Sequence, residues 1–346
     1  MLSPNSHTDV SSFSGSLMAG TANSYVNGQI EVWQLLMLSL QQSIPAMLMY
    51  VLESNGSSPG RQGFAMAVSA NGAMAGSIGG GIMEHKFVEM AKERLKNNAD
   101  QLPAIKKQVH DKTAAKDQSG MICSGDQTIL LYPVSSADIP QIEKIIACLS
   151  NNASGTLDLS PAGLVFSDES PASNYSFSMQ SQREWLYREM LGYKNHLYII
   201  GGGHCALALS KLMSSMDFYI HLFDHRDALN TIEQNLYAHK KTILDDYSGL
   251  KNIIPAGAHH YVVVMTVGYR TDDIAVRALI AKPFAYFGIL GSKKKIEKLF
   301  SDYIAEGISE EVLQQIHAPI GLAVNSRTPE EIAISIAAEI IQVKNR

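Results

Sequence analysis

The chain has 346 residues, long enough for two domains with cores of their own, and its 46% hydrophobic and 18% charged content is that of an ordinary globular protein. A formal net charge of −5 argues against nucleic acid or an anionic membrane as the main partner, and no unbroken apolar run is long enough to span a bilayer. Cys123, Cys148 and Cys205 are too few and too scattered for a disulfide framework or a metal cage; with no secretory leader evident, a reducing cytoplasm is the expected compartment.

Residues 1–28 are rich in Ser, Asn, Thr and Gly without periodicity, which predicts a poorly ordered lead-in. Over residues 29–40 the apolar positions Val32, Leu35, Leu36 and Leu40 recur at helical spacing. An apolar run at 46–52 suits a buried strand. A turn follows at 55–63, then a strand at 64–69 and an Asn71-Gly72 hairpin signal. Gly79, Gly80 and Gly81 come next and run straight into a helix over 82–96, with Phe87, Met90, Ala91 and Leu95 on one side. The polar, lysine-rich residues 97–118 read as a surface excursion. Cys123 leads into a strand at 127–134. Residues 150–183 are dominated by Ser, Asn, Asp and Pro, with strand-like pieces such as 163–166. A domain boundary is expected just after them, near 184–193, giving a first domain over 29–185 and a second over 190–346.

The second half alternates more plainly. Strands are expected at 196–201, 218–224, 261–266 and 288–291, with a helix at 204–216. Thr328, Pro329 and Glu331 announce a capped final helix with Ile332, Ile336 and Ile340 as its buried stripe. This pattern predicts an α/β protein: a mixed α/β N-terminal domain followed by a C-terminal Rossmann-like doubly wound parallel sheet.

Two glycine loops carry the chemistry. In the second, a strand runs into Gly201-x-Gly203-x-x-Ala206, a helix follows, and Asp224 ends the next strand. The first glycine makes a tight turn, the second admits a pyrophosphate to the backbone, and the helix N-terminus attracts its charge. Asp224 would accept a hydrogen bond from a ribose hydroxyl, so NAD(P) is one candidate ligand. Folds of this kind also serve ligands without redox chemistry. His204 stands where such a ligand lies closest, and the helix dipole there favours its neutral form. Cys205 reads as a small packing residue. In the first loop, three glycines ahead of a helix make either a turn needing positive φ or an oxyanion nest. Glu84, in the first turn of that helix, is either a dipole partner or a binder of a heterocycle's polar edge. Arg61 is the cation of the 56–61 turn. Cys123, in a flexible turn, is either a reactive thiol or an inert buried one.

Together these residues resemble the XdhC/CoxI family, the accessory proteins of xanthine dehydrogenase and related molybdenum hydroxylases. The resemblance runs from about Val32 to the C-terminus. Its first block is Gly56-Ser57-Ser58-Pro59, then Gly76-Ser77-Ile78-Gly79-Gly80-Gly81 with Glu84, then Met121-x-Cys123. Its second block opens with Gly201-x-Gly203-His204 and Asp224-x-Arg226. It continues through Gly288-x-Leu290-Gly291-Ser292-Lys293 and Pro319-Ile320-Gly321-Leu322, and closes on Thr328-Pro329-Glu330-Glu331-Ile332-Ala333 with Ser335-Ile336 and Ala338-Glu339. The resemblance implies a cofactor chaperone more than a catalyst. Such a protein binds molybdenum cofactor (molybdopterin), supports exchange of its oxo ligand for sulfido, and delivers it to an apo molybdenum hydroxylase beside a cysteine desulfurase. Ser77, Gly79, Gly80, Gly81, Glu84, Gly201, Gly203, His204, Asp224 and Arg226 are then the expected cofactor-binding residues, with both loops facing one cleft. Cys123 is the candidate for sulfur handling or molybdenum contact, and a homodimer is the expected assembly. The chain departs from the family pattern at Ser124, where glycine is usual after the cysteine, and at Val267, where histidine is usual after Thr266. The readings from other classes are an NAD(P)-dependent oxidoreductase and a nucleotide-sensing regulatory protein.

Overall fold

The computed structural model describes residues 24–96, 102–109, 125–169, 171 and 173–346. The first half opens with helix α1 (Ser24–Gln41) and strands β1 (Ala46–Gly56), β2 (Ala65–Ser69) and β3 (Met74–Gly76). Helix α2 (Gly81–Lys96) and strands β4 (Ala104–Val109) and β5 (Gly125–Val134) complete the first sheet. The strand order is β3-β2-β1-β5-β4, antiparallel throughout.

Strand β1 is apolar at seven consecutive positions because both of its faces are covered. Side chains alternate across a strand, so Leu48, Tyr50 and Leu52 join the core that contains Trp33 and Leu36 of α1. Met47, Met49 and Val51 meet Met83, Phe87 and Ala91 of α2 on the opposite side.

Helix α3 (Ile139–Ser150) leads into a second antiparallel sheet of β6 (Gly155–Ser160), β7 (Gly163–Ser167), β8 (Tyr175–Ser181) and β9 (Glu184–Leu191), ordered β7-β6-β9-β8. Two sequence readings are corrected here. Within the lysine-rich stretch read as a surface excursion, residues 104–109 pair with β5 as an edge strand. An edge needs only backbone bonds on one side, and exposed lysines such as Lys106 and Lys107 discourage further pairing. Residues 184–191, read as the start of a boundary, form strand β9, in which Trp185, Tyr187, Glu189 and Leu191 point inward on alternate positions.

The second half carries β10 (His196–Ile200), α4 (His204–Met213), β11 (Tyr219–Asp224), α5 (Asn230–Glu233), β12 (Lys240–Ile243) and α6 (Leu250–Ile253). It ends with β13 (Gly257–Val264), α7 (Tyr269–Leu279), β14 (Phe284–Ile289), α8 (Lys293–Ala305), α9 (Glu310–Leu313) and α10 (Pro329–Lys344). The five strands are all parallel, in the order β12-β11-β10-β13-β14. One face, with Leu197, Ile199, Leu222 and Val263, packs under α4 and α10; the other, with Ile200, Phe223, Val262 and Val264, packs under α7 and α8. The mixed first half and the Rossmann-like parallel sheet are those read from the sequence. Thr328 caps α10 with Glu331 returning the bond, and Ile336 and Ile340 are fully buried while Ile332 is only half-buried.

The connection between the halves is tied on both sides. Lys194 sends its ammonium to Glu189 of β9 at 2.9 Å, while its backbone amide donates to Asp217 Oδ1 at 2.8 Å. Asp217 also pairs with Lys344 of α10 at 3.7 Å. Among the described residues no helix is long and apolar enough to cross a membrane.

Candidate functional site

The chain leaves the central strand β10 toward β11 on one side and returns through β13 on the other. The loops after β10 and β13 therefore diverge and leave a crevice at the C-terminal ends of the strands, where open parallel sheets bind ligands. A cavity of about 540 Å3 occupies it, lined by Gly203, His204, Arg226, Thr231, Met265 and Thr266 among others.

Each loop residue has a separate reason to be there. Gly201 lies at φ +110°, and a Cβ on it would come within 2.3 Å of the Met265 carbonyl oxygen. Its amide donates to the Phe223 carbonyl at 2.7 Å, which locks the turn to β11. A Cβ on Gly203 would meet nothing within 4 Å, so this residue borders open space. Gly203 is the N-cap of α4, and no side chain caps it. The amides of the first turn are thus left to the crevice, with the positive end of the helix behind them.

Asp224 behaves differently from the ribose acceptor expected of it. Its side chain is fully buried, and Oδ2 accepts from the Gly202 amide at 2.6 Å and from Arg226 Nη2 at 2.7 Å. Oδ1 accepts from the Arg226 amide and Nε, both at 2.9 Å. Burial opposes its charge, but the bonds from Arg226 and Gly202 prevail and hold the carboxyl below its ordinary range. With about four acceptor sites on a carboxylate, Asp224 is saturated by its own chain, and its effect is to fix Arg226 at the crevice wall.

The opposite wall was not legible as a site. Thr266 donates its hydroxyl to Asp272 Oδ1 at 2.6 Å, and its amide donates to the same oxygen at 3.0 Å. Asp272 is wholly buried and pairs with Lys295, whose ammonium also reaches the Leu290 carbonyl at 3.0 Å. The family-like Gly288-to-Lys293 motif was the available signal, since it leads into the helix that carries Lys295. Val267 stands exposed at the rim. Cys205 is half-buried against the core, and burial, with the nearby Glu330 charge, pushes its thiol up. Such a thiol is a poor nucleophile.

In the first half, Gly79, Gly80 and Gly81 sit at φ +128°, +74° and +69°, where any other residue is strained. Their loop folds around an anion supplied by the protein itself. Glu84 Oε2 accepts from Ser77 Oγ at 2.6 Å, from the Ile78 amide at 2.9 Å and from the Gly80 amide at 3.0 Å. Burial works against that carboxylate, but the Ser77 hydroxyl and the loop amides outweigh it and lower its pKa. Gly79 packs so tightly on residue 60 that a Cβ would fall 2.4 Å from its amide nitrogen. Gly125 is as close to the 55–58 loop, and Gln127 Nε2 bonds the Gly60 carbonyl at 2.9 Å. The turn at 56–60, the glycine run and the start of β5 therefore meet at one place. Arg61 is turned onto the Gly56 carbonyl at 3.0 Å. Cys123 and Ser124 lie outside the described residues.

Gly79, Gly80 and Gly81 line neither the crevice nor the cavity beside Ser77. Ser77 borders a cavity of the first half and Gly203 the crevice of the second, and the two share no residue.

Comparisons with known proteins follow the same division. Residues 39–104 match the family model described as XdhC and CoxI family, and residues 197–340 match that of the XdhC Rossmann domain. The Escherichia coli K12 protein YqeB, described as uncharacterised, is 24% identical over 88% of this chain, which spans only 44% of that relative's length. A probable xanthine dehydrogenase subunit of Bacillus subtilis 168 is 23% identical over 89% of this chain and 96% of its own length. A crystal structure described as a xanthine dehydrogenase from Bacillus halodurans superposes with a TM-score of 0.65. It is 23% identical and covers 90% of this chain and 96% of its own, a likeness of fold.

Proposed function

We propose that this chain, which belongs to the XdhC and CoxI family, is an accessory protein that binds molybdenum cofactor, supports its sulfuration and inserts it into a xanthine dehydrogenase-type hydroxylase. The observation that carries this reading is the uncapped N-terminus of α4, opening on the switch-point crevice beside an Arg226 held in place by Asp224. First-turn amides and a fixed guanidinium suit a phosphate monoester, and Gly203 leaves the space for it. When bound, the cofactor supplies the molybdenum–dithiolene chemistry. The protein's own part is to hold the phosphate at α4, orient the rest along the Thr266 wall and exclude water.

The apo-hydroxylase and a cysteine desulfurase are the partners this reading requires, and a homodimer is its expected assembly. An NAD(P)-dependent oxidoreductase fits less well, because a ribose hydroxyl would have to displace Arg226 or Gly202 from Asp224.

The test is anaerobic purification from a molybdenum-sufficient host, followed by oxidation and fluorescence detection of released pterin. Near-stoichiometric pterin that falls sharply in a Gly203→Leu variant is the expected result. A protein without pterin, also after mixing with purified cofactor, would refute the carrier reading.

A further inference from the structure

The first half holds a cavity of about 290 Å3, at the small end of the ligand-site range and roomy enough for a bicyclic ring. Its wall carries two full charges. Glu189 and Lys194, with side chains 4% and 5% exposed, pair at 2.9 Å. Glu189 Oε2 accepts from the hydroxyls of Tyr50 and Tyr187, each at 2.7 Å, and Lys194 donates to the Tyr175 hydroxyl as well. A buried ion pair is no more stabilising than well-packed apolar side chains of similar volume. Stability of the fold therefore gives no reason to set one beside empty space. An ammonium has three hydrogens and a carboxylate about four acceptor sites. Two of the former and three of the latter are engaged in the bonds just described. One donor and one acceptor remain, side by side. The rings of Trp33, Tyr50 and Tyr175 line the same space, and Ser77 brings the head of the glycine run to its edge.

We propose that this cavity is a second ligand site, binding a planar heterocycle that presents a carbonyl next to an N–H. The carbonyl takes the remaining Lys194 hydrogen, the N–H goes to Glu189, and the ring lies against the aromatic wall. Pterins and guanines share this edge; adenine does not have it. The site goes beyond the carrier reading and is independent of the crevice, with which it shares no residue.

The test is equilibrium dialysis of the full chain against an unphosphorylated pterin, guanosine and adenosine. Retention of pterin or guanosine over adenosine by about tenfold or more is expected, the effect of one mismatched hydrogen bond in a buried site. The better retained of the two identifies the ring system. An Ala65→Phe substitution, which puts bulk into the cavity without touching the ion pair, should abolish retention, and Lys194→Met should remove the preference over adenosine. Gly203→Leu should leave retention intact, which separates this site from the carrier function. Equal retention of all three compounds, no retention of any, or retention unchanged in a folded Ala65→Phe protein would overturn the proposal.

Discussion

At the scale of single residues, the two glycine loops obey different rules although both read as anion sites. Gly203 borders open space at an ordinary φ, whereas Gly79 is needed for close packing and positive φ together. Gly81, at φ +69° with nothing within 4 Å of a Cβ, should lose about 1–2 kcal/mol of stability on substitution by alanine, from backbone strain alone. Gly79→Ala should lose more, because the backbone at residue 60 would have to move. Urea unfolding of the two variants checks the order, and equal losses would show that the loop is not clamped against the 56–60 turn. The same scale shows what sequence reading could and could not find. Asp224 and Arg226 were both visible as site residues, but their mutual bonds were not, because a side chain's partner depends on which rotamer the crevice leaves open. Glu84 was readable as a first-turn acid; its folding back into the glycine loop follows from three consecutive left-handed residues that no pattern announces.

At the scale of elements, patterns that repeat were legible and patterns that depend on a neighbour were not. The apolar run of β1, the glycine-to-helix junctions and the capping box of α10 all declare themselves locally. Thr328→Ala should therefore cost about 1 kcal/mol, seen as a lower urea midpoint with an unchanged slope. Strands β4 and β9 were missed for opposite reasons. The first is polar because it lies at an edge, and the second buries Glu189, a residue that reads as solvent-facing until its tyrosine and lysine partners are placed around it. Helix α3 escaped because polar and proline-bearing flanks hid the apolar stripe of Ile142, Ile145 and Leu149.

At the scale of the whole molecule, a cluster of imidazoles gives the fold a pH dependence. His196, His221 and His260 lie on neighbouring strands with ring centroids 5.4 and 5.5 Å apart around His196, and His239 stacks on Tyr219 at 4.6 Å. Burial, and then the mutual repulsion of their charged forms, pushes His196 down to about 4 and His221 to about 3; burial and the charge of His196 bring His239 to about 4. Lys240 adds to the repulsion at His221, and His259 to that at His196 and His260. The folded values lie below the ordinary 6.5, so the unfolded chain binds more protons between pH 6.5 and about 4. Stability is then full above pH 6.5 and falls as the pH drops through that window. Urea midpoints measured between pH 7 and 5, above the carboxylate range, should decline, and a His221→Asn variant should flatten the decline. A flat wild-type profile would show that the cluster is solvated.

The tie between the halves has a mechanical consequence. Lys194 is anchored by its side chain in one half and by its backbone in the other, so rotating the halves about this connection would strand a buried charge, a penalty of roughly 3–5 kcal/mol. The molecule is braced where a clamp would have its hinge. Opening the two halves at this connection is therefore costly, whatever the cavities on either side of it hold.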